Sequence, residues 1–186
     1  MDLTTMLVIV MFATILTLGM ANTLMAIAGL INEKREKGQY WINNSWLLWL
    51  FIMHLNMYWY SSHIAKVENW GFPGFLHIIA GPVLLFFATS IFLNRDSGIE
   101  ETAETRYFNI SRRFFMFFAF LQIWIISTDF LLESGLTGSC SFNLLLMVMG
   151  FILASWDQRI VHKIGAVTGW LLLLLPMLLR GLGIIT

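Results

Sequence analysis

Six apolar runs separated by short polar segments constrain the fold of this chain more than any other feature. A helix needs roughly 20 mostly apolar residues to cross a bilayer, and several of the runs reach that length. We therefore predict an all-α polytopic membrane protein with a single transmembrane domain over residues 1–186. The six predicted spans cover about residues 5–31, 43–63, 75–93, 114–132, 142–156 and 164–185.

The composition agrees with this prediction. Apolar residues make up 58 % of the chain and charged residues only 12 %, whereas about 25 % of a soluble domain is charged. The expected partner is therefore the lipid bilayer. The net charge is zero and the few basic residues are spread out, which argues against nucleic acid as a partner. Cys140 is the only cysteine, so no disulfide within the chain is expected.

The positions of the basic residues predict the orientation of the chain. Nine of the eleven lysines and arginines lie in three predicted loops, at about residues 32–42, 94–113 and 157–163. Because basic loops stay on the cytoplasmic side of a membrane, we expect these loops in the cytoplasm and both termini outside. The expected location is the plasma (inner) membrane. The same loops are where a protein partner would bind.

One short segment occurs twice, 66 residues apart, as Leu55–His63 and Leu121–Asp129. Asn56 in the first copy corresponds to Gln122 in the second, and the final histidine corresponds to the final aspartate. In each copy the two polar residues are seven positions apart, so they share one face of a helix. This predicts parallel hairpin repeats at about residues 5–63 and 75–132, with a more diverged third hairpin at about 142–185.

Ionisable residues inside apolar runs are costly in a membrane and therefore indicate a functional site. In the functional interpretation they form a polar vestibule near the outer surface. Asp129 would be its charged centre, Arg180 the counter-ion, and His63 or His77 a partner that titrates near neutral pH. The residues expected at this level are His63, His77, Asp129, Glu133 and Arg180.

Three uncharged polar residues, Asn56, Tyr58 and Gln122, are expected to continue this path toward the inside. A structural interpretation is also open. Asp129 and Arg180 would then neutralise each other as an ion pair, while the two amides hydrogen-bond between helices and hold them together.

A haem or metal site would need histidines from separate helices, and His54, His63 and His77 are the candidates. No His-x-x-Glu or Glu-x-x-His motif accompanies them, so the first expectation is no cofactor and no metal. The chain also lacks a P-loop, a dinucleotide fingerprint, a nucleophile elbow and a zincin motif. Its loops are too short for an enzyme domain, so we expect no enzymatic activity.

The first two hairpins carry a further pattern. The segment Gly19-Met20-Ala21-Asn22-Thr23-Leu24 precedes a basic loop, and Trp46 and the pair Tyr58-Trp59 follow in the next run. This pattern resembles small six-helix bacterial membrane proteins of unknown function. The resemblance implies the fold class and a bacterial inner membrane, and it implies no activity, ligand or catalytic residue.

Three hypotheses for the function follow. The leading one is a non-enzymatic integral membrane protein that forms a pore or transport path as a homo-oligomer, because six short helices alone enclose only a narrow path. The second is a non-conducting sensor or accessory subunit that acts through a protein partner at the cytoplasmic loops. The third is an intramembrane haem or metal protein that uses the histidines.

Overall fold

The computed structural model describes residues 3–32, 40–64, 67, 70–93, 102–132 and 138–182. Within these residues the chain is all-α, as predicted. The helices follow one another as α1 (Leu3–Asn32), α2 (Trp41–Ile64), α3 (Phe72–Leu93), α4 (Ala103–Leu132), α5 (Gly138–Ser155) and α6 (Arg159–Gly181).

Four of the described helices are long and apolar enough to cross a membrane. This is compatible with the predicted integral membrane protein. α5 contains a shorter apolar segment, Cys140–Ser155. α2 has 24 residues, which is enough to cross a bilayer, but its asparagines, serines and histidines lower its apolarity. The four longer segments are Leu3–Leu30, Phe72–Phe92, Ala103–Leu131 and Arg159–Leu179.

The six helices form a closed ring of neighbours. α1 packs against α2 and α3, α4 packs against α3 and α5, and α6 packs against α5 and α2. The order around the ring is therefore α1, α2, α6, α5, α4 and α3. The contact between α2 and α6 is the least extensive of those around the ring, and α2 contacts α3 to the same extent across one side of the ring.

Neighbouring helix ends show that α2, α4 and α6 begin at the same end of the ring. Tyr40 packs on Tyr107 with ring centroids 5.2 Å apart, and Tyr107 contacts His162 at the start of α6. Near the other ends of α2 and α4, Tyr60 contacts Asp129. The first end is termed the basic end, because Arg106, Arg112, Arg113, Arg159 and Lys163 lie there, and the second is termed the cavity end.

A buried hydrogen-bond chain joins α4 to α6 at the basic end. His162 Nε2 donates to the Trp156 carbonyl at 2.9 Å, so its Nδ1 is an acceptor, and the Tyr107 hydroxyl donates to it at 2.8 Å. Both side chains are fully buried.

Nearby, an exposed ion pair joins Arg159 to Glu104 at 2.6 Å. Burial, and then the Glu104 charge, raise the pKa of the Tyr40 phenol above its usual value, so this ring stays neutral.

Large aromatic side chains of α2 and α4 fill the middle of the ring. This aromatic core consists of Trp46, Trp49, Phe114, Phe115 and Phe118, all almost completely buried. Its rings meet with centroids 4.9 to 5.9 Å apart around the two tryptophans. α6 accommodates them, because Gly169 leaves space for the Trp46 ring and its carbonyl accepts a hydrogen bond from Trp49 Nε1 at 3.3 Å.

α4 begins eleven residues earlier than predicted, so the predicted loop 94–113 is wrong from residue 103 onward. The Thr102 hydroxyl caps the helix by accepting a hydrogen bond from the Thr105 amide at 3.2 Å. The apolar run begins at residue 114, but Ser111 and Tyr107 are fully buried about one and two turns before it. The helix continues because it packs on its neighbours beyond the apolar run.

The other helices also extend past their apolar runs. α2 begins at Trp41 rather than at about residue 43, and α5 begins at Gly138 rather than at about residue 142. The predicted loop 157–163 shortens to residues 156–158, because α6 begins at Arg159. Buried His162 explains this last difference, since its hydrogen bonds draw the first turn of α6 into the structure.

Candidate functional site

A polar cavity of about 100 Å³ lies among α2, α4, α5 and α6. One water molecule needs roughly 10–15 Å³ of such space, so the cavity has room for several waters or one small solute. The polar side chains in its wall are Asn56, Tyr60, Gln122, Asp129 and Asn143.

The cavity brings together three of the residues predicted from the sequence. Asn56 comes from α2, and Gln122 and Asp129 come from α4. The two α4 residues are seven positions apart, which is about 10 Å along a helix. The cavity wall is therefore polar over about two helical turns.

Asp129 is almost completely buried, with 7 % of its surface exposed. The Tyr60 hydroxyl donates a hydrogen bond to its Oδ1 at 3.3 Å. An ionised carboxylate accepts about four hydrogen bonds, so this contact is compatible with further donors. Tyr60 was not predicted, although it lies one turn beyond Asn56 on the same helical face.

Gln122 is fully buried, and neither Nε2 nor Oε1 of its amide has a hydrogen-bond partner among the described residues. A buried polar group without a partner costs about 1–3 kcal/mol. Gln122 nevertheless belongs to the wall of the polar cavity, although its amide atoms have almost no exposed surface. Buried orphans of this kind are often explained by an unseen water or ligand.

Tyr58 does not line the polar cavity, and its predicted place on a polar path stays a prediction. Its side chain is 55 % exposed and does not line the cavity. Two residues along a helix correspond to a rotation of about 200°, so Tyr58 lies on the opposite side of α2 from Asn56.

His77 lies on the seam between α3 and α4. Its Nε2 donates to the Thr128 hydroxyl at 2.9 Å, because that hydroxyl donates its own proton to the Trp124 carbonyl at 2.8 Å. The Trp124 indole N–H in turn donates to the His77 carbonyl. In the described part of the chain, therefore, His77 is bound to Thr128 rather than to Asp129, its predicted neighbour.

Three other predicted site residues lie outside the described residues. Glu133 does so entirely, and His63 and Arg180 do so through their side chains. The predicted ion pair between Asp129 and Arg180 and the predicted titrating role of His63 stay predictions.

Two of the histidines proposed for haem or metal binding, His54 and His77, have other contacts in the described part of the chain. His54 Nδ1 donates to the Leu50 carbonyl at 2.8 Å, and its Nε2 faces Gly19 so closely that a Cβ there would be 2.5 Å away. The described residues contain no group of three or more metal-binding side chains. The haem or metal hypothesis stays a prediction.

A smaller side cavity of about 40 Å³ lies beside the polar cavity. Its wall adds Met57, Trp124 and Thr128 to four residues that line both spaces. The shared residues are Met53, Asn56, Tyr60 and Ile125.

α6 passes through Pro176 without ending. Proline has no amide hydrogen, so the Leu172 carbonyl lacks the helical hydrogen bond that residue 176 would donate. Both Leu172 and Pro176 line the polar cavity. The turn of α6 that lacks this hydrogen bond therefore lies beside the polar cavity.

The polar cavity and the aromatic core occupy successive levels of the ring. On α2 the core residues Trp46 and Trp49 precede Asn56, and on α4 the core residue Phe118 precedes Gln122 by one turn. The aromatic core thus fills the ring between the polar cavity and the basic end.

Comparisons with protein-family models, with curated proteins and with solved structures found no match for this chain.

Proposed function

We propose that this chain is an integral membrane protein that forms a transport path for a small polar solute or ion. The polar cavity carries the proposal, since it contains a buried carboxylate and an unpartnered amide among helices apolar enough to cross a membrane. Such groups are costly in a bilayer and mark substrate or ion pathways. The aromatic core blocks the way to the basic end, so this conformation corresponds to a closed path.

All six helices cross the membrane in this proposal. The low apolarity of α2 is compatible with a span because several of its polar side chains turn into the ring. His54 is fully buried, Asn56 lines the polar cavity, and Ser45 accepts a hydrogen bond from Trp170 at 2.7 Å. The helices form parallel hairpins with the basic end in the cytoplasm of a bacterium and both termini outside the inner membrane.

The hairpin repeat is supported by the glycines of the odd-numbered helices. Gly19 of α1 receives the His54 ring of α2, and Gly81 of α3 receives the Trp124 ring of α4. The two rings do not occupy equivalent positions in the repeat. Trp124 corresponds to Tyr58, which lies four residues, or one helical turn, after His54. The hairpins thus share a packing mode with a shift in register. A homo-oligomer is part of the proposal, and mass measurement in detergent tests it.

The transport hypothesis is tested in liposomes that contain the purified protein. Ion flux is followed across pH 5 to 8, and uptake of small neutral solutes is followed by light scattering. Asp129→Asn is expected to lower the rate about tenfold, as the loss of one favourable buried contact would. The matched control is Asp157→Asn, which changes an exposed aspartate outside the cavity. Wild-type protein that moves neither ions nor solutes would sink the transport hypothesis.

A non-conducting accessory subunit is the second candidate, and the aromatic core favours it because it fills the ring. This candidate predicts no flux, together with a partner protein that co-purifies and is lost when residues 94–101 are replaced. A partner that stays bound after this replacement would contradict its predicted binding place.

A further inference from the structure

We propose that the polar cavity and the side cavity together bind a small aliphatic primary amide. The amide head would pair with Gln122 once that side chain turns toward the polar cavity, because its amide nitrogen and oxygen have almost no exposed surface in this conformation. A short apolar end would enter the side cavity. This inference rests on the proposed function and names the class of its solute.

The unpartnered amide of Gln122 decides the chemistry of the head group. Its Nε2 needs an acceptor and its Oε1 needs a donor. An ammonium ion only donates and an ionised carboxylate only accepts, so each would leave one Gln122 atom unpaired. A primary amide has a donor beside an acceptor and satisfies both atoms through two parallel hydrogen bonds.

The wall around Gln122 continues the same chemistry. Asn56 and Asn143 offer two more amides in the polar cavity, and an asparagine side chain both donates and accepts. Tyr60 donates a hydrogen bond to the Asp129 carboxylate, so this group already has a partner within the protein. A neutral head group fits this arrangement without needing a charge of its own.

The side cavity explains the apolar end. The residues that line the side cavity but not the polar cavity are Met57, Trp124 and Thr128. The Thr128 hydroxyl is already bound to the Trp124 carbonyl and to His77, and the Trp124 indole N–H is bound to the His77 carbonyl. These groups have used their polar atoms, so the side cavity presents thioether, indole and methyl surface. Its volume of about 40 Å³ suits one or two carbon atoms.

Three probes with the same carbon skeleton test the head group. Propionamide, propylammonium chloride and sodium propionate are added to the full chain in detergent at equal ionic strength, and the thermal unfolding midpoint is measured. A ligand that binds the folded state raises this midpoint. Propionamide is expected to act at concentrations at least about tenfold below those of the two charged probes, since each of these leaves a buried Gln122 atom unpaired.

A pair of matched variants tests the residue. Gln122→Met keeps the length of the side chain and removes the amide, and it is expected to weaken the propionamide response about tenfold. Gln158→Met makes the same change in the exposed turn before α6 and should leave the response as in the wild type. If Gln122→Met does not fold, the comparison of head groups on the wild-type chain decides alone.

A third variant tests the apolar end. Met57→Phe narrows the side cavity and should weaken propionamide more than formamide, which has no alkyl group. Equal weakening of both amides would place the alkyl group elsewhere and overturn this part of the proposal.

Three results would overturn the amide proposal. One is a propionamide response that survives Gln122→Met. Another is a propylammonium response that is stronger and depends on Asp129, which would keep the solute site and change its class. The third is no response to any probe; liposome flux then decides separately whether the transport hypothesis stands.

Discussion

Gly19 and His54 are the closest fit of single residues between α1 and α2. A Cβ atom at Gly19 would lie 2.5 Å from His54 Nε2, well inside van der Waals contact. His54 has little freedom to withdraw, because its Nδ1 is bound to the Leu50 carbonyl and its ring is fully buried. The small size of residue 19 is therefore required by a neighbour on another helix.

We expect Gly19→Ala to lower the free energy of unfolding by about 1–3 kcal/mol, the usual cost of overpacking a core. Gly181→Ala is the control, because an added Cβ there meets nothing within 4 Å. Thermal unfolding of both variants in the same detergent checks the expectation. Equal midpoints for the two variants would show that α1 and α2 can move apart to accommodate the added methyl group without a loss of stability, which would contradict this expectation.

The residues of the polar cavity were predictable where a helical period connects them. The seven-residue spacing of Gln122 and Asp129 places them on one face of α4, and the repeat transfers this reasoning to Asn56 on α2. Tyr60 has the correct spacing from Asn56, but the repeat directs attention to Tyr58, which corresponds to Trp124. Asn143 has no counterpart in the repeat, and only the packing of α5 against α4 brings it to the cavity.

At the scale of helices, α4 is the element on which the structure depends most. One buried face runs along it through Tyr107, Ser111, Phe114 and Phe118 to Gln122, at spacings of three or four residues. This period was visible in the sequence before the first residue of the apolar run. Hydropathy alone starts the helix at residue 114, because it reflects the apolarity of the residues and not their contacts with neighbouring helices.

The Tyr107 hydrogen bond should matter more to stability than the ion pair beside it. Tyr107→Phe leaves buried Nδ1 of His162 without its donor, and we expect a loss of about 1–3 kcal/mol in the free energy of unfolding. Glu104→Gln breaks the exposed ion pair with Arg159 and should cost less than about 1 kcal/mol.

Thermal unfolding of Tyr107→Phe, Glu104→Gln and Tyr58→Phe separates these contributions. Tyr58 is exposed on α2, so its variant controls for the loss of a hydroxyl. A Tyr107→Phe midpoint no lower than that of Tyr58→Phe would contradict the buried role of the hydrogen bond.

At the scale of the whole molecule, the ring combines a polar level with an aromatic level. Helix number and helix type followed from the apolar runs. The order of the helices around the ring did not, because runs of similar composition carry no record of which neighbour each face meets. The aromatic core arises from that order, since it needs α2 and α4 to face each other across the ring.

If the aromatic core closes the path, loosening it should speed transport. Phe118 packs on Trp46 and Trp49, and Phe118→Leu removes a ring from this contact. We expect liposome flux to rise about tenfold, equivalent to a barrier lower by ~1.4 kcal/mol. Phe120→Leu makes the same change at an exposed position of α4 and should leave the flux unaltered. The same rate from both variants would mean that the closure lies elsewhere.

The closure of the ring by α6 has a consequence for biogenesis. α6 packs against both α5 and α2, and it supplies one wall of the polar cavity through Leu173 and Pro176. Chains are made from the N-terminus onward, so a nascent chain that has formed only its first five helices presents Asn56, Gln122 and Asp129 to an open gap. The polar face is covered only when the sixth helix arrives. An unfinished chain is therefore chemically distinct from a finished one, and this gives cellular quality control a feature to recognise.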